Sequence, residues 1–279
     1  MSSRSVPAVR AVRVVSALAL TVAVASCAIS QQQEVQLGAG YATQIDTQLP
    51  MIRDAQVVNY VSRLGNSLAA VTDTRGLSWH FAVVDSKEVN AFAVPGGWVY
   101  VNRGLIARAQ TMDQLAGVIG HEIGHVTRRH SVQQMQQSQG VGGGLTVLCT
   151  LTKVCDSGAS QAAINLGGTA LFAKFSRQDE AEADQEGVRT TVKDGIDPRG
   201  IPEMFRILLA ERQSNPGAVD AFFATHPLEE SRITATTSQI AGYTAAQLKN
   251  LKVDEAAFQS MKRRLNSLPP SPVPKAAAK

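Results

Sequence analysis

Two histidines four residues apart, with a glutamate beside the first, point most directly to chemistry: His121-Glu122-Ile123-Gly124-His125. On a helix, positions i and i+4 share one face. Both imidazoles can therefore offer a nitrogen to a single Zn²⁺, at about 2.0–2.1 Å each. Glu122 is then no ligand; it sits one residue round, where it can hold a water on the metal. The metal lowers the pKa of that water to about 7, and the carboxylate takes its proton as the oxygen attacks a peptide carbonyl. The competing explanation is a chance match on a surface helix. The apolar flanks Leu115, Val118, Ile119, Ile123 and Val126 oppose it, because they bury the helix and unpaired buried histidines are costly.

A catalytic zinc takes three protein ligands and a water. Downstream lies Ser176-Arg177-Gln178-Asp179-Glu180-Ala181-Glu182-Ala183-Asp184. Glu180 and Asp184 are again i and i+4. Glu180 can ligate the metal while Asp184 orients a ligating imidazole from behind. Asp179 and Glu182 read as a solvated acidic face. His130 lies five residues past His125, about 140° round a continuous helix, so it reads as a structural histidine, as does His80. A metzincin would carry Gly at 128 and His at 131; Arg128 and Ser131 exclude that family.

These residues need rigid elements behind them. Thr111 to about Gln139 reads as one helix, with Thr111 and Gln114 in a capping-box pattern. A second long helix is predicted over about 161–193, with a fresh start at Ser176 and a stop at Gly195. Apolar residues at helical spacing predict another helix over 46–71, and Trp79 to Val84 alternates like a strand. Ala91–Val94 and Trp98–Val101 flank Pro95-Gly96-Gly97, a hairpin signature. Helices are also expected over 201–212, 228–240 and 254–265, with a turn at Asn215-Pro216-Gly217. Residues 28–40 read as a polar tether and 140–160 as a Gly-rich loop able to gate the cleft or touch a membrane or partner. The proline-bearing end, 268–279, reads as a disordered tail.

The 279 residues are 44% hydrophobic and carry a net charge of +4, which excludes a wholly disordered chain. Three cysteines exclude a disulfide-framework mini-protein. The first 26 residues read as an address: Arg4, Arg10 and Arg13, no acidic residue, then a short apolar run from Val14 to Val24. Without those three arginines, the 27 basic and 23 acidic residues come to +1, with no cationic cluster for nucleic acid. Val24-Ala25-Ser26-Cys27 resembles a bacterial lipobox, whose Cys27 becomes the acylated N-terminus and anchors the chain without a transmembrane helix. Ala28, in place of an Asp, favours the outer membrane. Cys149 and Cys155 are either disulfide-bonded or two free thiols.

Together, H-E-x-x-H and the later S-R-x-x-E-x-x-A-D resemble the CAAX-prenyl-protease-like gluzincin peptidases, most of all their small periplasmic lipoprotein members of the BepA, LoiP and YcaL type. Asn90-Ala91-Phe92-Ala93-Val94-Pro95-Gly96-Gly97 resembles that family's hairpin above the active site, and Thr225-His226-Pro227 with Arg232-Ile233 its late His-Pro segment. The similarity covers roughly 50–240. It implies a predominantly helical α+β zincin fold with a small β-sheet over the active-site helix. It further implies one Zn²⁺ held by His121, His125 and Glu180, with Glu122 as base. His226 is then a fourth ligand in a resting state, the alternative being a helix-start histidine packed by Pro227. Arg232 either stabilises the oxyanion or pairs with a carboxylate. The strand around Asn90 to Val94 accepts extended or misfolded polypeptide as an added strand.

The expected organisation is a signal peptide over 1–26, a tether over 27–45, a metallopeptidase domain over 46–267 and the tail. The expected role is a lipid-anchored zinc endopeptidase of envelope proteins, on the periplasmic face of the outer membrane, in protein quality control. The rival is a chaperone or assembly factor for outer-membrane proteins, linked to their assembly machinery, with latent proteolysis.

Overall fold

A computed structural model describes residues 29–140 and 174–272. The address segment with Cys27, the Cys149 and Cys155 pair, most of the Gly-rich 140–160 loop, the 161–173 stretch of the second long helix and the last residues of the tail lie outside the described residues. Among the described residues are ten helices and three strands. The arrangement is a predominantly helical α+β fold carrying one small sheet.

Strands β1 (His80–Val84), β2 (Ala91–Val94) and β3 (Trp98–Asn102) form that sheet in the order β1-β3-β2. β3 runs parallel to β1 and antiparallel to β2. The β2–β3 turn places Gly96 and Gly97 at φ +81° and +114°, where a side chain would be strained. Alternation along the strands separates two apolar faces. Phe81, Val83, Ala91, Val99 and Val101 join the main core, while Val84, Phe92, Val94 and Tyr100 join a second cluster on the opposite face.

Helix α1 (Gln31–Gln48) covers that second face with Tyr41, Ala42 and Ile45. The sequence reads 27–45 as a tether; residues 31–48 are instead a helix with a Ser30/Gln33 capping box. A sheet apolar on both faces must be covered on both, which outweighs the weak amphipathicity of the segment. Glu34 anchors the helix. Fully buried, it accepts from Arg75 (2.9 and 3.2 Å), Arg129 (2.7 Å) and the Gly96 amide (3.3 Å).

The helix expected over 46–71 begins later, as α2 (Ala55–Thr72). Pro50 separates it from α1, and Asp54 caps it by accepting from the amides of Gln56 and Val57. Its Val57, Val61, Leu64 and Leu68 face the core. After the short α3 (Arg103–Arg108) comes α4 (Met112–Thr127), buried almost throughout. The Thr111/Gln114 capping box does not form: the Thr111 hydroxyl donates to Asp113, and Gln114 accepts from the Gln110 amide. The helix expected to run to Gln139 breaks at Arg128 and at Arg129, whose φ is +61°; α5 (His130–Gly140) restarts in a new direction. The Arg129 bonds to Glu34 and to the Ile29 carbonyl hold that break.

Then follow α6 (Arg177–Lys193), α7 (Gly200–Ser214), α8 (Pro216–Thr225), α9 (Glu230–Ala241) and α10 (Ala256–Ser267). Asn215-Pro216-Gly217 is the start of α8 rather than a free turn, with Pro216 at the first helical position. Residues 268–272 are held: Arg103 donates to the carbonyls of Leu265, Leu268 and Pro269. Helix α4 packs against α6, α7, α2 and the sheet, and α2 also touches α6. No helix among the described residues is long and apolar enough to cross a membrane.

Candidate metal centre

Helix α4 presents His121 and His125 on one buried face, their Nε2 atoms 3.0 Å apart. Glu180 arrives from the first turn of α6. Its Oε2 lies 3.6 Å from His121 Nε2 and its Oε1 3.4 Å from His125 Nε2. Tetrahedral zinc with bonds near 2.0–2.1 Å sets its ligand atoms about 3.3 Å apart, so these three groups bracket the right spacing. His226, at the C-terminal end of α8, places Nδ1 3.0 Å from Glu180 Oε1. All four residues are buried, and one ligand atom from each lies within 4.8 Å of the others.

Two local features of sequence make this meeting possible. Ser176 and Asp179 form a reciprocal capping box that starts α6 where Glu180 faces α4 and Asp184 follows one turn on. Small residues then let the two helices approach closely. A Cβ on Gly120 would lie 3.4 Å from Gly187 Cα, and one on Gly124 3.1 Å from Ala183 Cα. The glycines preceding each histidine of the motif are thus the contact surface for α6.

Glu122 points at the same space. Its Oε1 is buried without a hydrogen-bond partner and lies 3.6 Å from His226 Nε2. Burial pushes its carboxyl above the ordinary glutamate value, against the pull of His226 and His121. Burial also acts on Glu180, but the facing His226 and His125 win and hold that carboxylate well below its usual range. For His226 burial disfavours the charged ring, and Glu180 and Glu122 outweigh it, so its value rises. For His125 burial wins and its value falls well below normal. Two imidazoles and a carboxylate are a donor set that zinc takes. Glu180 Oε2 also pairs with Arg232 Nη1 at 2.5 Å, while the unpartnered Glu122 Oε1 beside the cluster fits a water on such a metal.

A second rank of groups stands behind the ligand atoms. Asp184 Oδ1 lies 2.9 Å from His121 Nδ1. Arg232 Nε and Nη2 donate to the two oxygens of Asp184 at 2.8 and 2.6 Å, and Nη1 donates to the Pro227 carbonyl at 3.2 Å. Of the two alternatives the sequence leaves for Arg232, the structure places it in the ion pair. Its guanidinium contacts Asp184, Glu180 and the Pro227 carbonyl. His130 Nδ1 lies 2.9 Å from His125 Nδ1, while His80 stacks on Trp98 in the sheet. Sequence reasoning passes over Phe175. Its ring stacks on His125 at 4.0 Å, and its amide donates to the Thr225 carbonyl. The only signal is its place directly before the Ser176 cap. A cleft of about 380 Å³ opens between α6 and α9 beside Glu180, Asp184 and Arg232.

The family model for peptidase family M48 matches residues 55–240, which hold all four candidate ligands and Glu122. The chain belongs to this family. As an M48 member it carries the zincin fold, with zinc as the metal standard for the family. It is 32% identical over 218 residues to the beta-barrel assembly-enhancing protease of Escherichia coli, covering 75% of this chain and 44% of the relative. The mitochondrial metalloendopeptidase OMA1 of Schizosaccharomyces pombe is 32% identical over 175 residues, 62% of this chain and 50% of the relative. Metalloprotease YcaL of Escherichia coli is 27% identical over 191 residues, 67% and 74% respectively. The M48 chain spans less than half the length of the assembly-enhancing proteases it matches.

Proposed function

We propose that this M48 chain is a zinc endopeptidase that cleaves extended or misfolded segments of envelope proteins in quality control. The observation that carries the reading is the buried convergence of His121, His125, Glu180 and His226, with the unpartnered Glu122 oxygen beside it. Zinc, when bound, supplies Lewis-acid polarisation and lowers the pKa of water. His121, His125 and Glu180 hold it. Glu122 Oε1 takes the proton of the attacking water and passes it to the leaving amine. Asp184 holds the His121 ring, and Arg232 holds Asp184. Strand β2 is at an end of the sheet order, a place where an extended peptide can add as a further strand.

His226, with a ligand atom within 4.8 Å of those of His121, His125 and Glu180, would take the fourth position on the metal and hold the site in a resting state. Its loop must move aside for turnover, and Phe175, bonded to Thr225, must move with it. Cys27 is the acylated residue of a lipid anchor that keeps the enzyme on the periplasmic face of the outer membrane. The basic, then apolar, first 26 residues and the beta-barrel assembly in the name of the Escherichia coli relative support this placement. That name, assembly-enhancing, also favours a second reading: a factor for outer-membrane protein assembly whose proteolysis stays latent behind His226.

Metal content and casein cleavage separate these readings. Glu122→Gln is expected to retain one zinc per chain and lose cleavage by at least about 100-fold. His226→Ala is expected to cleave faster than the wild type. Cleavage that survives in Glu122→Gln removes the base assignment. Full complementation by Glu122→Gln in cells favours the assembly-factor reading.

A further inference from the structure

We propose that His130 is a positioning residue of the zinc site: its Nδ1 accepts the Nδ1 proton of His125 and so fixes the tautomer and ring angle with which His125 presents Nε2 to the metal. The inference deepens the proposed function and rests on the metal centre described there.

The break at Arg129 creates the contact. On an uninterrupted helix His130 would point about 140° away from His125. With Arg129 at φ +61°, α5 restarts so that the two Nδ1 atoms come within 2.9 Å. Both rings are buried, 2% and 1% exposed, so no solvent competes for either nitrogen. The Nε2 of His125 faces His121 and Glu180 and must carry a lone pair to bind a cation. A neutral imidazole then bears its hydrogen on Nδ1, and the atom facing it is His130 Nδ1. That nitrogen accepts, so the hydrogen of His130 is on Nε2. There it faces Glu182 Oε2 at 3.5 Å and Asp179 Oδ1 at 3.9 Å, near enough for charge attraction but without a hydrogen bond.

One hydrogen bond therefore links His130 to His125, with the acidic pair of α6 beyond it. It parallels the links from Arg232 through Asp184 to His121. The acidic face that the sequence reads as mere solvation lies beside the outer nitrogen of His130. The two ligating imidazoles are oriented differently, one by a carboxylate and the other by a second imidazole. Metal-ligand histidines are held in this way as a rule, and loss of such a partner costs about 10–100-fold in affinity.

The test is zinc affinity of the full chain by chelator competition, for wild type, His130→Leu and His130→Asn, beside the thermal melt of each metal-free protein. The Leu side chain fills the site without an acceptor; the Asn Oδ1 can accept where Nδ1 did. His130→Leu is expected to bind zinc about 10–100-fold more weakly, and His130→Asn within about threefold of wild type. A Leu variant with wild-type affinity, or an Asn variant as weak as Leu, overturns the proposal. Should the Leu variant fail to fold, long-range ¹H–¹⁵N spectra of the zinc-loaded wild type decide. The expected signature is His125 protonated on Nδ1 and His130 on Nε2, and the opposite tautomers overturn it. A wild-type chain that takes up no zinc overturns the metal centre itself, a failure visible before any variant is compared.

Discussion

Burial lifts the Asp113 carboxyl, in the first turn of α4, to about 6, against the hydrogen bond from Thr111. An unfolded aspartate titrates near 3.9. Below about pH 4 both states hold the proton and burial carries no penalty. Above about pH 6 both are ionised, and the fold bears the whole cost, about 3 kcal/mol at 1.36 kcal/mol per unit. Stability from this residue therefore falls as pH rises from 4 to 6. Asp113→Asn is expected to be more stable than wild type at pH 7.5 by about 1–3 kcal/mol, the gap closing as pH falls to 4. Urea melts across that range check it. Arg232 works in the opposite sense. Removing it leaves Asp184 and Glu180 buried without their cation, so Arg232→Ala should cost about 3–5 kcal/mol. Lysine should not rescue it, because the contact with Asp184 is bidentate.

At the level of elements, the crossing of α4 and α6 decides whether a metal site exists. A Cβ at position 120 meets Gly187 at ordinary contact distance, so Gly120→Ala should keep both fold and zinc. Gly120→Leu must push α6 outwards, and with it Glu180. The expected result is zinc affinity down by at least about tenfold, read by chelator competition. Helix α1 is locked as tightly to the hairpin: a Cβ on Gly38 would lie 1.8 Å from the Pro95 carbonyl oxygen. Gly38→Ala should therefore loosen α1 and the β2–β3 turn together. The amides of both should exchange faster with deuterium while those of α4 do not.

For the whole molecule, zinc links helices that are far apart in sequence, so its removal should weaken the entire fold. A ligand that binds only the native state at 1,000 times its Kd contributes about 4.1 kcal/mol. EDTA is expected to lower the melting temperature, and added zinc to restore it. The folded α1 also changes how the anchor would act. Three residues lie between Cys27 and the start of α1 at Gln31, a reach of about 14 Å when extended. A lipid on Cys27 would thus hold the catalytic body at the membrane surface rather than on a long leash. Cys27→Ser should move the protein from the membrane fraction to the soluble periplasm with casein cleavage intact.

The parts legible in the sequence are those governed by local periodicity. His121 and His125 share a face because a helix repeats every 3.6 residues; the start at Ser176 is spelled within four residues, whereas sequence reasoning passes over the Asp54 cap; the strands alternate because their pleat repeats every two. Everything that depends on what lies opposite needed the fold. Four carboxylates crowd the start of α6, and only the packing of Gly120 on Gly187 and Gly124 on Ala183 decides which of them turns to the histidines. Residues 31–48 look like a leash until the second apolar face of the sheet demands a cover. His130 looks misdirected until the buried charge of Glu34, with Arg129, bends the chain at its doorstep. Short-range geometry is written in spacing, whereas burial and partner choice are settled by distant segments competing for the same space.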